Sequence, residues 1–202
     1  DSKGILQDFE VRFTGDVLDL DSWEATAKII DISFKATDNS PAGNNLDARL
    51  QVTSKGGLIS LDAKNVSLSW PQRLTGIIDF EQVKAELLWN IIDDKAQFRV
   101  SNAQAWAKQG SIKNFDAAIL LEDGAAEGNV SMQFGIPDVS IIKDFIPLHL
   151  SEKVHAWFDT AFPTGTLKNG QLNYRGPISV AAVRSNIGGV SASADAFDVG
   201  GD

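Results

Sequence analysis

Apolar and polar residues alternate along most of the chain, a period-two pattern typical of β-strands that bury one face. Runs of this kind include residues 9–13, 46–52, 83–89 and 96–100. Turn sequences rich in Gly, Asn and Asp, such as Ser54 to Gly57, separate successive runs. Because short connections join neighbouring strands, the pattern predicts a mainly β fold built as an antiparallel meander.

One stretch, at about 138–162, has the spacing of helices instead. Asp138 suits an N-cap, and apolar residues follow it at helical intervals. Ser151 begins a second short helix with its own apolar side. The pattern therefore predicts a helical pair inserted in the sheet. The apolar residues expected to anchor it are Ile142, Phe145, Trp157 and Phe158.

The predicted sheet has an extensive apolar face, and two short helices cover only a small part of it. A second layer of the same sheet, folded over the first, would give a closed β-sandwich. A sheet curled lengthwise and left partly unfilled would give an open groove whose natural contents are apolar molecules. The alternation of apolar and polar residues is the same in a sandwich and in an open groove, so it does not distinguish between them.

Composition narrows the classes of function. The 202 residues carry a net charge of −9 with no cluster of Lys and Arg, which argues against nucleic acid as a partner. The longest unbroken apolar run is Ala117 to Leu121, far short of the roughly 20 residues that span a bilayer. The chain starts at Asp1 without Met or a leader, so we interpret it as a fragment of a longer protein.

Candidate catalytic and metal-binding motifs are scarce. Cysteine is absent, which removes thiolate metal sites, cysteine nucleophiles and disulfides. His149 and His155 are six residues apart, whereas the i, i+4 spacing aims two imidazoles at one metal. No nucleophile elbow, phosphate loop or dinucleotide fingerprint occurs. We therefore expect a protein that is not an enzyme and that uses no metal or cofactor.

A resemblance is carried by residues 138–177, which read DVSIIKDFIPLHLSEKVHAWFDTAFPTGTLKNGQLNYRGP. The order of a helix with an Ile-Pro break, a Trp-Phe-Asp core, an Ala-Phe-Pro-Thr-Gly turn and a strand ending in Arg-Gly-Pro resembles the AsmA-like envelope proteins of Gram-negative bacteria. The large YhdP-type proteins are the most similar. The resemblance is good over these forty residues and general over about 46–177.

The resemblance implies a long protein, anchored in the inner membrane, that reaches across the periplasm. In such proteins the sheet is bent into an open trough that is thought to conduct phospholipid between the inner and outer membranes. We expect residues 1–187 to form one elongated β-groove section, and 188–202 to be a weakly ordered tail or the start of the next section. The expected partners are phospholipid or another acyl-chain lipid, with both membranes contacted by other parts of the full-length protein.

The residues predicted to line the groove share the apolar phase of the central strands. They are Leu50, Val52, Ile59, Leu61, Val66, Leu68, Leu87, Trp89, Phe98, Val100, Ile119, Leu121, Val130, Met132 and Phe134. The helical pair is expected to plug or buttress one side of the trough. An alternative function is a scaffold or interaction module for outer-membrane assembly, with no cargo and with a partner bound at a sheet edge.

Overall fold

The computed structural model describes residues 2–14, 23–37, 40–72, 74–93, 95–123, 125–146, 148, 150–161, 164–178 and 189–197. Ten strands and two short helices account for most of them. In chain order the strands are β1 (Ser2–Phe13), β2 (Trp23–Phe34), β3 (Ala42–Thr53), β4 (Gly56–Ser69), β5 (Ile77–Ile92), β6 (Lys95–Ala107), β7 (Gly110–Glu122), β8 (Ala125–Ile136), β9 (Thr166–Pro177) and β10 (Gly189–Phe197).

All ten strands belong to one sheet, in the order in which they occur in the chain, and each pairs antiparallel with the next. The predicted antiparallel meander is therefore confirmed. β1 and β10 are its two edges. β10 lies within the segment 188–202, so residues 189–197 extend the same sheet, while 188 and 198–202 lie outside the described residues.

The connection between β8 and β9 holds both helices. A 3₁₀ helix spans Val139–Phe145, and the helix α1 spans Glu152–Ala161. The amide of Ser140 donates to Asp138 Oδ1 at 2.9 Å, and the amides of Val154 and His155 donate to the carbonyl of Ser151, so both segments begin where the sequence predicts. The first segment is a 3₁₀ helix, wound more tightly than the helix expected from its spacing.

Most strands contain a β-bulge inside their length. Every strand pair except β4–β5 shows a shift of register. Six strands carry an Asn or Asp in the left-handed conformation, which these two residue types tolerate better than other non-glycine residues. They are Asp8, Asp31, Asn45, Asn65, Asn102 and Asn169.

These bulges lie at a similar level in each strand. All six left-handed residues are three to six residues from the strand end on the side of the helices. A bulge bends its strand and increases the local twist. Because successive strands bend at a similar level, the sheet curls along a line that crosses the strands, and a trough runs from β1 to β10. With strands about 4.8 Å apart, ten strands give a trough about 43 Å long.

Candidate functional site: the apolar face of the sheet

The register brings the predicted groove residues onto one face of the sheet, called here the apolar face. Residues directly opposite in antiparallel strands point to the same side, so the pairing can be followed across the sheet. One row crosses seven strands through Leu50, Ile59, Leu87, Val100, Ala117, Val130 and Tyr174. All fifteen predicted residues lie on this face. Their contact with lipid stays a prediction.

The bulges keep this face apolar where the sequence alternation breaks. At Asn65 the apolar positions step by three, from Ala63 to Val66, yet both residues are on the apolar face. The same step occurs from Ile29 to Ile32 across Asp31. The predicted list of groove residues leaves out further members of this face, and for Ile29, Phe80 and Ile112 the reason is a bulge that changes the spacing. They include Ile29, Phe34, Phe80, Val83, Ile112, Phe115 and Leu172.

The two faces differ in exposure although one layer of strands builds both. Ala117 on the apolar face is 9% exposed and buried, whereas its neighbour Ala118 points to the other side and is exposed. The same contrast separates half-buried Phe98 from exposed Gln97 and Arg99. Side chains crowd together on the concave side of a curled sheet, so we infer from this contrast that the sheet curves toward the apolar face. The apolar face is therefore the inside of the trough.

The inside of the trough is only partly filled. Most of its large side chains, such as Leu87, Trp89 and Phe98, are half-buried. Among the described residues the buried apolar side chains are few: Ala27, Ala48, Ala63, Val66, Ala105, Ala117, Val139 and Ile146. A closed β-sandwich would bury the large side chains between its two layers. The open groove is thus the observed arrangement, and the sandwich alternative is wrong.

Aromatic rings lie over glycines on the floor of the trough. Three direct cross-strand pairs have this form: Phe34 with Gly43, Trp89 with Gly57, and Phe134 with Gly170. A Cβ atom added at Gly170 would lie 2.6 Å from two ring atoms of Phe134, and one added at Gly57 would lie 2.4 Å from the Trp89 indole. Each ring therefore rests against backbone, which gives the floor a smooth apolar surface.

Charged groups occupy the opposite face, called here the polar face. At the directly paired positions of the described strands the charged residues lie on this side, with Lys84 opposite Asp62 as one ion pair at 3.9 Å. The described residues hold no cluster of three or more His, Asp or Glu side chains that could bind a metal. No helix among them is long and apolar enough to cross a membrane. At these paired positions the charged side chains and the apolar lining are therefore on opposite faces of the sheet.

The β1 end of the trough carries large exposed apolar residues. Leu6, Phe9, Val11 and Phe13 are on the apolar face of this edge strand, and Phe9 is 61% exposed. β10, at the other end, places smaller residues such as Ala192 on the same face. Both edges also present backbone groups that no described strand pairs. The apolar lining therefore extends to the β1 end.

The helical pair stands beside β8 and β9, at the strand ends near the bulges. The amide of Val139 donates to the carbonyl of Gly165, and Thr166 Oγ1 donates to the carbonyl of Pro137, each at 2.9 Å. Among the described side chains of this region, Val139 and Ile146 are buried. Ile142, one of the four predicted anchors, is half-buried.

The other predicted anchors differ from one another. Phe158 is half-buried, whereas Trp157 is 56% exposed. Its ring meets Phe158 edge to face, with ring centroids 4.8 Å apart. The side chain of Phe145 lies outside the described residues. Helical spacing finds the apolar side of a helix but cannot show whether anything lies opposite each residue.

The fold and the site define a class: a single antiparallel sheet curled into an open trough with a continuous apolar lining. Comparison with known families agrees, because the sequence model of the YhdP protein family matches residues 2–200. The chain belongs to the YhdP family, and so to the AsmA-like proteins of the Gram-negative envelope. No curated protein and no solved structure matches the chain.

Proposed function

We propose that this chain shields phospholipid acyl chains in its trough, as one section of a longer, non-enzymatic protein that conducts lipid between the inner and outer membranes. One observation carries the proposal. A single face of all ten strands is apolar, concave and only partly buried by the described residues. Apolar surface of this extent marks a site for an apolar partner.

The free energy of lipid transfer explains why such a lining would be useful. Exposing one methylene to water costs about 0.8 kcal/mol. A phospholipid with about thirty methylenes therefore meets a barrier on the order of 20 kcal/mol when it leaves a bilayer unshielded. A continuous apolar lining removes most of that barrier.

The size and chemistry of the trough suit movement along it. Acyl chains of one leaflet span about 15 Å, half of the roughly 30 Å hydrocarbon core. The trough, about 43 Å long, is longer than one such lipid. Contacts with methyl and aromatic groups are non-directional, so adjacent positions bind a lipid with similar strength. No deep polar site within the described trough would hold a lipid in place.

The family supports a location for this activity. An envelope protein of the YhdP type, anchored in the inner membrane, would hold this section in the periplasm. Other parts of the full-length protein would then contact the two membranes. In this proposal the chain itself binds phospholipid or another acyl-chain lipid.

The test is the lipid content of the protein after purification from a bacterial host. Native mass spectrometry should find phospholipid on the wild type and on Gln97→Glu, and little on Phe98→Glu. The two variants introduce the same carboxylate at adjacent positions. They are a matched pair because Gln97 and Phe98 point to opposite faces of the sheet. Leu61→Asp and Ser60→Asp form a second matched pair.

Circular dichroism and urea unfolding would show whether each variant is folded. Lipid on folded Phe98→Glu at the level of the wild type would contradict the proposal. So would a wild type that carries no lipid and does not take up any from phospholipid vesicles.

The open edge of β1 favours a second candidate, a scaffold that binds a protein partner by strand addition. Ile5 lies on the polar face of this edge and is 55% exposed. If the scaffold function is correct, Ile5→Lys in the full-length protein should impair the outer-membrane barrier to detergents in living cells, whereas Phe98→Glu should not. The lipid-conduction proposal predicts the reverse.

A further inference from the structure

Two cations stand directly opposite each other on the polar face. Lys28 on β2 pairs with Arg49 on β3, and both side chains are exposed. Like charges at directly opposed positions of an antiparallel pair are destabilising, because their Cβ atoms are only about 5 Å apart. In a chain with a net charge of −9, such a pair needs an explanation.

Two of the nearby carboxylates, those of Asp47 and Asp62, have other partners. Asp47 Oδ1 accepts the backbone amide of Asp31 at 2.9 Å. Asp62 accepts Gln82 Nε2 at 2.8 Å and faces Lys84 Nζ at 3.9 Å. Among the described residues no carboxylate is within ion-pair distance of Lys28 or Arg49. Within the part of the chain that the structure describes, the two positive charges therefore have no counter-ion.

The pair lines a shallow depression of about 460 Å³. Thr26, Gln51 and Ser60 line it as well, and their hydroxyl and amide groups can donate hydrogen bonds. Asp8 also lines this depression. Lys28 and Arg49 reach a second depression of about 430 Å³, which Asp47 and Asp62 line too. The two cations attract a negatively charged ligand, and the nearby carboxylates repel it. A ligand that contacts the cations must therefore be small enough to stay away from the carboxylates.

We propose that Lys28 and Arg49 bind a phosphate group, carried either by a soluble phosphoester or by a lipid headgroup. Arg presents a planar fork of donors that matches phosphate oxygens, and Lys adds a compact charge. Thr26, Gln51 and Ser60 supply neutral donors around them. The site is on the face opposite the apolar lining, so it does not depend on lipid conduction.

The first test uses inorganic phosphate as the probe, at constant ionic strength maintained with sodium chloride. Constant ionic strength separates binding from general screening of charges. Titration followed by amide NMR should shift the resonances of residues 28 and 49 in the wild type. In Lys28→Gln/Arg49→Gln the affinity should fall at least about tenfold, as expected for the loss of charge-assisted hydrogen bonds.

The matched control is Lys64→Gln/Lys113→Gln, which removes the same amount of charge at two exposed lysines elsewhere. It should bind phosphate as the wild type does. Equal responses of the wild type and of both variants, or no response at all, would overturn the proposal, because only screening would then be acting.

A second test separates the two sources of phosphate. Vesicles of phosphatidylcholine with and without phosphatidylglycerol are sedimented with each protein. Recovery with the anionic vesicles that is lost only in Lys28→Gln/Arg49→Gln assigns the site to a lipid headgroup. Binding of inorganic phosphate without vesicle recovery assigns it to a soluble phosphoester. Vesicle recovery that is the same for all three proteins, with no response to inorganic phosphate, overturns it.

Discussion

The contact between Phe134 and Gly170 gives a quantitative prediction about the floor of the trough. The ring of Phe134 lies so close over Gly170 that an added Cβ would be 2.6 Å from two ring atoms and 2.9 Å from a third. Real Cβ atoms do not approach so closely, and the ring must move when Gly170 becomes Ala. Overpacking of this kind costs about 1–3 kcal/mol. Because Phe134 is half-buried and can turn toward the open trough, we expect about 1–2 kcal/mol.

Urea unfolding of three proteins tests this prediction. Gly189→Ala is the matched control, because a Cβ there meets nothing within 4 Å. Glycine in the middle of a strand is worse than alanine by about 0.5–1 kcal/mol. Gly189 is the first residue of β10, where this gain is smaller, so Gly189→Ala should be neutral or slightly stabilising. Gly170→Ala should lower the free energy of unfolding and should therefore be clearly less stable than Gly189→Ala.

A double-mutant cycle shows whether the ring is the cause. In a Phe134→Ala background the ring is gone, and Gly170→Ala should then cost little. The coupling between the two positions should be about 1–2 kcal/mol, within the range for residues in contact. If Gly170→Ala is as harmless as Gly189→Ala, or equally costly with and without the ring, the aromatic floor described above is wrong.

Three further predictions concern the bend of the sheet, its loops and the start of the 3₁₀ helix. Asn65→Val should lower the free energy of unfolding by about 1–2 kcal/mol in urea, because a β-branched residue tolerates the left-handed backbone of position 65 poorly. Asn65→Gly should cost much less, and equal costs for the two variants would contradict the prediction. Trp70→Phe should lower the free energy of unfolding by about 0.5–1.5 kcal/mol, because Trp70 Nε1 donates a hydrogen bond to the carbonyl of Thr37 at 3.1 Å. An unchanged urea midpoint would show that this hydrogen bond does not contribute to stability. The hydrogen bonds from Ser140 lower the pKa of Asp138 in the folded protein below its ordinary value of 3.8. The ionised carboxylate therefore stabilises the fold at pH values above 3.8, and this stabilisation is lost as the pH falls through the lowered pKa of the folded state. The difference in urea midpoint between the wild type and Asp138→Ala should therefore be larger at pH 7 than below pH 3.8, and a constant difference would refute the linkage.

The strands were predictable because alternation in sequence reflects alternation between two faces. The alternation fails where a bulge inserts one residue. Ile30, Asp31 and Ile32 read as a regular strand, with both isoleucines on one face. In the structure Ile29, not Ile30, shares the apolar face with Ile32, because Asp31 is left-handed.

A local signal for these bulges does exist in the sequence. Each left-handed position is Asn or Asp within an otherwise apolar-alternating run, the residue types that adopt this conformation most readily. Several of them stand where the apolar spacing changes from two to three, as Asn65 does between Ala63 and Val66. Burial in the helical pair was harder to predict, because it depends on which part of the sheet lies beside each side chain.

The polar face was beyond sequence reasoning for a different reason. Lys28 and Arg49 are 21 positions apart, and only the register between β2 and β3 places them opposite each other. Register depends on the whole hydrophobic pattern and on the turns. A single sequence therefore contains the charges of such a pair but not the fact that they face one another.

The distribution of small and large residues inside the trough bears on whether the space is meant to be filled. Ala48, Ala63 and Ala105 are buried, and each lies within three residues of a left-handed Asn at the bend. Val66, beside left-handed Asn65, is also buried, but most of the larger apolar side chains of the trough, such as Leu87, Trp89 and Phe98, are half-buried. A domain that packed its own core would place its largest side chains where burial is greatest, since their burial contributes the most free energy. Alanine at these three positions instead leaves volume above the floor. A lipid with apolar chains that entered this volume would gain free energy by covering the half-exposed walls.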